Sequence, residues 1–254
     1  MIRQLLFPLI LIWRVYYFIV FAGLFLILFP IFYIALLNER TYHIAFVLKR
    51  FVAIVSTTLA GIFISVKRES KLNSEQAYIF CSNHTSYLDI ELIYSLFSPY
   101  FVFMAKAELR SVPLFGLFFK DMDIAVDRGS NVAGHKAFER AASDLDKGHS
   151  VVMFPEGTIP DNVPELGAFK NGPFKLAIDK QVPIVPITFI NNYKILPAKI
   201  WTTNSGGPGI ARVFIHEPIS TKGMTEDNMV SLRQQVFDTI NKTLPLNGHR
   251  QSNG

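Results

Sequence analysis

Along the first forty residues the pattern is almost wholly apolar. From Val15 to Leu37 run 23 residues without a charge, which as a helix reach about 35 Å against a hydrocarbon core of roughly 30 Å. This stretch predicts a membrane anchor. It is longer than the apolar part of a signal peptide, and no small-residue cleavage site follows it. Tyr16, Tyr17 and Tyr33 sit near its ends, where aromatic rings favour the interface, and Pro30 is tolerated in a lipid-facing helix. A second apolar stretch, Phe51 to Val66, is short for a span and reads as interfacial or core. Its end, Gly61 to Lys67, is rich in β-branched residues and predicts the first strand of a globular domain. Three regions follow: an anchor with interfacial helices over 1–60, a main domain over 61–245, and a polar, disordered tail over 246–254.

After Lys71 short apolar runs alternate with helical periodicity. Strands are predicted at Ala77 to Cys81, Phe101 to Met104, Asp123 to Val126, Val151 to Phe154 and Ile184 to Ile190. Between two of them, Val132 to Lys147 predicts a helix capped by Ser130 or Asn131, with Val132, Phe138, Ala142 and Leu145 as its apolar face. A last helix is capped at Thr225 and carries Met229, Leu232, Val236, Ile240 and Leu244 on one face. Alternation of this kind predicts an α/β fold, a mixed and largely parallel sheet covered by helices. Pro183 and Pro186 interrupt the run near Ile184, which suggests a strand bordering a cleft.

Composition narrows the partners. Half of the residues are hydrophobic, 18% are charged and the formal net charge is +5, a balance suited to a phospholipid surface or a phosphorylated ligand. Nothing in the sequence has the aromatic and basic interleaving of a nucleic-acid face. Positive charge is heavier after the anchor (Arg40, Lys49, Arg50, Lys67, Arg68, Lys71) than before it, which places the main domain on the cytoplasmic face. The single cysteine, Cys81, excludes an intramolecular disulfide and reads as a small buried hydrophobe, and no Cys and His cluster has metal-ligand spacing. His135, His149 and His216 lack an acidic partner at a telling spacing and read as surface or loop histidines.

Candidate chemistry begins in "CSNHTSYLDI", where a strand end delivers Asn83 and His84 into a loop and Asp89 opens the next helix. A carboxylate on one ring nitrogen orients an imidazole whose other nitrogen takes a proton, so this spacing suits a general base with its partner. It equally suits a helix-capping histidine beside a solvated acid. In "VVMFPEGT" another strand end presents Glu156, Gly157 and Thr158, and "DIAVDRG" presents Arg128. The apolar stretch Val112 to Phe119 lines an acyl-chain tunnel or forms a core helix.

In this order the elements resemble the glycerolipid acyltransferase family, of the 1-acyl-sn-glycerol-3-phosphate acyltransferase type. Its asparagine, histidine, four residues and aspartate are matched by Asn83, His84 and Asp89, its strand-end arginine by Arg128, its phenylalanine-proline-glutamate-glycine-threonine run by Phe154 to Thr158, and its proline-containing motif around Val182 to Pro186; "AKAELRSVPLFG" is similar to the lead-in. The resemblance covers roughly Gly61 to Ile190. It implies transfer of a fatty acyl group from acyl-CoA or acyl carrier protein, as co-substrate and without a cofactor, to the hydroxyl of a lysophospholipid, giving phosphatidic acid when the acceptor is 1-acyl-sn-glycerol-3-phosphate. His84 would be the base and Asp89 its orienter, with Asn83, Arg128, Glu156, Gly157, Thr158 and Pro186 on the substrate side. Where the family continues with arginine and serine this chain has Ile159 and Pro160, so Lys170 is a candidate substitute cation. Another lysolipid acceptor, or a non-catalytic lipid-binding protein, remains the alternative.

Overall fold

The computed structural model of the chain describes residues 7–245 except 112–114, 128 and 200–201. The expected tail and Arg128 therefore lie outside the described residues. Helix α1 (Phe7–Ala35) turns back through a 3-10 turn (Glu39–Thr41) into α2 (Tyr42–Leu59), and both are long and apolar enough to cross a membrane. The second helix begins nine residues before the apolar stretch read from the sequence. Lys49 and Arg50 interrupt the hydrophobic run but do not break the helix, because Lys49 pairs with Asp123 and Arg50 Nε donates to the Tyr94 carbonyl (3.0 Å).

Strand β1 (Ile62–Arg68) follows at once, then β2 (Ile79–Ser82), α3 (Leu88–Leu96), β3 (Phe101–Lys106), a helical turn at Phe118–Asp121, β4 (Ile124–Val126), α4 (Asn131–Asp146), β5 (Ser150–Met153), α5 (Gly172–Lys180), β6 (Ile184–Phe189), a turn at Asn192–Ile195, β7 (Gly209–Ile215) and α6 (Met229–Thr243). They build one seven-stranded sheet in the order β1-β7-β6-β2-β5-β3-β4, parallel at every pairing except β6 with β7. The mixed, largely parallel sheet expected from the sequence is what forms, with β7 as a strand that the sequence pattern did not announce.

Pro186 lies within a buried interior strand instead of at a cleft edge. Its register partner on β2 is Cys81, and the antiparallel ladder with β7 covers only Ile187 to Phe189. The missing N–H thus falls where that ladder has already ended, and the Pro186 carbonyl still accepts from His216 N (3.0 Å). On α4 Ser130 Oγ accepts from Ala133 N at 3.3 Å, as a cap should, but Val132 is 68% exposed and the buried face runs through Ala137, Ala141 and Leu145. Six residues separate Val132 from Phe138, which turns it about 120° off that face.

Each face of the sheet carries its own core. Helices α4, α5 and α6 cover one; the α1–α2 hairpin and α3 cover the other. Tyr17, Phe25 and Phe32 of α1 and Ala45, Phe46, Val52 and Ala53 of α2 are buried in the same cluster as sheet residues such as Val152 and Ile187. The outer side of the hairpin is the reverse: Ile12, Ile19, Ile27 and Ile34, at steps of seven or eight along α1, are each more than 60% exposed. An apolar face of this size on a folded domain marks a partner surface, and a lipid bilayer fits its composition.

Candidate active site

The site gathers at the carboxyl ends of the parallel strands β2, β5 and β3, where α/β sheets form crevices. β2 ends at Ser82, so Asn83 and His84 leave the sheet together. Asn83 is fully buried and turned away from the crevice, pairing with the end of β6 through its Nδ2 to the Phe189 carbonyl (3.0 Å) and its Oδ1 from Phe189 N (2.8 Å). Held in this way, the chain points His84 into the cavity.

Asp89 lies on the first turn of α3 and folds back to His84, with Oδ2 3.0 Å from Nδ1. The same oxygen accepts from the backbone N–H of Thr85 (2.6 Å) and Ser86 (2.9 Å), while Oδ1 accepts from Asn192 Nδ2 (2.7 Å). A carboxylate with no solvent exposure and four donors is an acceptor. With Nδ1 donating to this acceptor, Nε2 is the unprotonated ring nitrogen. The ring stacks on Phe154 with centroids 4.0 Å apart, which fixes its plane. The two side chains are thus in the contact that a base and its orienting partner require.

Glu156 braces the loop instead of facing the crevice. Its Oε1 accepts from His84 N (2.8 Å) and its Oε2 from Gly167 N (2.6 Å). Burial raises its carboxyl to about 7, against the lowering effect of those two N–H bonds. Gly157 takes φ +73°, a left-handed turn that glycine adopts without strain, and it lines the cavity with Thr158.

That cavity has a volume of about 550 Å³. His84, Phe154, Gly157 and Thr158 form one part of its wall, Phe103, Tyr94 and Phe118 another, and Phe21, Phe25 and Phe32 of the hairpin a third. Two lysines that the sequence reading left unassigned line it as well. Lys106, at the end of β3, donates from Nζ to Thr158 Oγ1 (3.3 Å), and Lys199 pairs with Asp161 (3.0 Å). Lys106 stood inside the lead-in "AKAELRSVPLFG", and a cation closing a strand that neighbours a site was the available signal. Lys170 is exposed and outside the cavity wall, its backbone N–H bonded to the Pro155 carbonyl (2.9 Å), and Pro186 is buried in the sheet. Of the uncertain stretch 112–119, Phe118 and Phe119 reach the cavity.

Cys81 is fully buried, and burial pushes its thiol well above the ordinary range, so it has no nucleophilic part. His135 and His149 are surface and loop residues as expected, but the reading of His216 needs correction. His216 is only 4% exposed, with Nε2 2.8 Å from Thr188 Oγ1 and Nδ1 3.6 Å from Glu69. It continues the β7 alternation opposite Pro186, so its partners come from neighbouring strands and not from sequence neighbours. His135 and His149 also have acids in reach, Glu139 at 3.3 Å and Asp144 at 3.6 Å.

Glu91, two residues beyond Asp89 on α3, also lines the cavity and accepts from Tyr17 of α1 and from Ser56 Oγ of α2 (2.9 Å). Burial raises its carboxyl from 4.5 to about 7. A folded-state value above the unfolded one means that the folded protein holds a proton the unfolded chain has released. The resulting stability is complete below pH 4.5 and is lost as pH rises through 7, by on the order of 2–3 kcal/mol. Denaturant unfolding in detergent at pH 5 and pH 8 should show that loss in the wild type and a smaller one in Glu91→Gln.

Comparison with known proteins agrees with this geometry. A family model described as Acyltransferase matches residues 63–190. An uncharacterized acyltransferase of Schizosaccharomyces pombe is 32% identical over 75% of this chain and 68% of its own length. The 1-acyl-sn-glycerol-3-phosphate acyltransferase of Saccharomyces cerevisiae is 30% identical over 77% of this chain and 64% of its own length. A chloroplast enzyme of the same name from Brassica napus is 35% identical, and the match spans less than half of it, 43%. The crystal structure of a 1-acyl-sn-glycerophosphate acyltransferase from Thermotoga maritima superposes with a TM-score of 0.73 over 94% of this chain and 95% of the other at 23% identity, a likeness of fold.

Proposed function

Because the chain belongs to the acyltransferase family, we propose that it moves a fatty acyl group from acyl-CoA or acyl carrier protein to the free hydroxyl of 1-acyl-sn-glycerol-3-phosphate, giving phosphatidic acid for phospholipid synthesis. The observation that carries this reading is the His84–Asp89 dyad opening onto an apolar cavity of about 550 Å³ that Lys106 and Lys199 line, along with Lys49, which is paired to Asp123. The acyl chain occupies the apolar part, and the thioester carbonyl lies against His84.

The chemistry needs no acyl-enzyme. Nε2 of His84 takes the acceptor's hydroxyl proton as that oxygen attacks the thioester carbonyl, and Asp89 stabilises the imidazolium. The C–S bond breaks, and the departing thiolate receives the proton back from His84. Glu156 and Asn83 hold the two loops that set this geometry. With Ile159 in place of the family's arginine, Lys106 and Lys199 are the cations within reach of an acceptor phosphate. The relatives named for that acceptor support the same choice. The hairpin enters the bilayer side-on, its inner face on the catalytic domain, and the charge bias of the sequence puts that domain on the cytoplasmic side.

The test is transfer from a labelled acyl thioester to a panel of lysolipids. Transfer dependent on lysophosphatidic acid supports the reading; free fatty acid released without any acceptor dependence overturns it. Lys106→Ala should raise KM for the phosphate acceptor roughly tenfold and leave kcat nearly unchanged, as for one lost charge-assisted contact present in both ground and transition states.

A further inference from the structure

We infer that Asn192, in the turn after β6, is a positioning residue of the transfer reaction, holding Asp89 as a carboxylate turned toward His84. The inference rests on the acyltransfer reading above. Asn192 and Asp89 are both fully buried, and their contact, Nδ2 to Oδ1 at 2.7 Å, joins residues 103 apart in the chain.

The other half of the Asn192 amide is the informative part. Its Oδ1 is buried with no hydrogen-bond partner among the described residues, an arrangement that folded proteins rarely keep and that calls for a compensating gain. The gain is the charge-assisted bond made by Nδ2. The scaffold around it is firm: Leu196 N donates to the Asn192 carbonyl (2.9 Å), Ser86 Oγ donates to the Leu196 carbonyl, and Leu88 N donates to Ser86 Oγ (3.0 Å). The turn is thereby locked to the loop that also feeds Asp89 its two backbone donors.

The consequence concerns where the proton rests. When His84 becomes imidazolium, its Nδ1 proton faces Asp89 Oδ2. A carboxylate whose second oxygen accepts a hydrogen bond from Asn192 attracts a proton less than one without that bond, so the proton stays on the ring, and the less strongly held imidazolium passes its Nε2 proton more readily to the leaving thiolate. Other ionisable groups near the dyad include Glu156, on the His84 backbone N–H; Lys106, through Thr158; Glu91, further along α3; and Lys199, Tyr87, Glu108 and the Lys49–Asp123 pair, which share the cavity with His84. None of them contacts Asp89 Oδ1.

The experiment compares Asn192→Ala and Asn192→Asp with the wild type by the pH dependence of kcat and by KM for both substrates. The alanine variant should lower kcat about 10- to 100-fold, the worth of one hydrogen bond to a charge, leave KM within about twofold of wild type, and shift the acidic limb of the profile upward. A purely structural residue would scale the profile without moving that limb. The aspartate variant is isosteric, so it keeps the packing and carries the test even where alanine does not fold. Its carboxyl donates to Asp89 only when protonated, so its activity relative to wild type should rise as pH falls. A flat ratio, or an unchanged limb in the alanine variant, would overturn the assignment. If the wild type transfers no acyl group to any lysolipid, the failure belongs to the proposed function instead.

Discussion

Replacing His84 by alanine should lower kcat for acyl transfer by about 10²- to 10⁴-fold, the range that a positioned general base supplies. KM for either substrate should move little, because the cavity walls and the lysines remain. The expectation follows from how completely Asp89 is committed to one geometry. Four donors fix the carboxylate, and the ring it orients is stacked on Phe154, so Nε2 has a single direction available. Asp89→Asn tests the same geometry from the other side. The amide still meets the ring but cannot stabilise an imidazolium, and its NH₂ group would meet donors wherever it points. The measurement is single-turnover transfer from a labelled thioester, with the residual rate compared with that of protein-free controls. Residual activity within tenfold of wild type would mean that the dyad caps α3 and that the base lies elsewhere.

Much of this site was legible because its parts are local. A histidine and an aspartate five apart at a strand end can meet only by closing one turn, and the apolar runs that became β2, β3, β5 and β6 begin or end within a few residues of where the sequence puts them. What escaped reading depends on neighbours distant in the chain. The start of α2 was hidden because Lys49 looks like a boundary until Asp123, 74 residues on, is seen to neutralise it. β7 was hidden because Ile210 and Arg212 face outward while Ala211 and Val213 face inward, so half of a sheet strand reads as loop after the glycines at 206 and 207. Asn192 and Lys199 carry no local signal at all; only the order of the strands brings their loop beside His84. Lys170 was attractive in sequence because it follows the glutamate-glycine-threonine run, yet the chain from Pro160 to Phe169 carries it away from the cavity wall.

The second large effect concerns the hairpin. An anchor that merely tethers the enzyme would be dispensable for activity on substrates dissolved in detergent, and only activity on vesicles would suffer when it is removed. The structure argues otherwise. Phe21, Phe25, Phe32, Lys49, Val52 and Ala53 are cavity wall, and Glu91 of the catalytic helix takes its hydrogen bonds from Tyr17 and Ser56. Burying Tyr17, Phe25, Phe32, Phe46 and Val52 against the domain is worth about 2 kcal/mol of gross transfer free energy for each large side chain taken out of water. A chain beginning at Gly61 should therefore lose transfer on detergent-dissolved and vesicle substrates alike, and it should expose the sheet face formed by Phe80, Val152 and Ile187 to dye binding or aggregation. Substituting only the lipid-facing residues separates the two roles. Ile12, Ile19, Ile27 and Ile34 changed to serine should spare activity in detergent while reducing recovery with vesicles, because these exposed side chains lie outside the cavity wall and supply the outward apolar face. A truncated chain that stays folded and active in detergent would show that the catalytic domain closes its own cavity and that the hairpin is a tether.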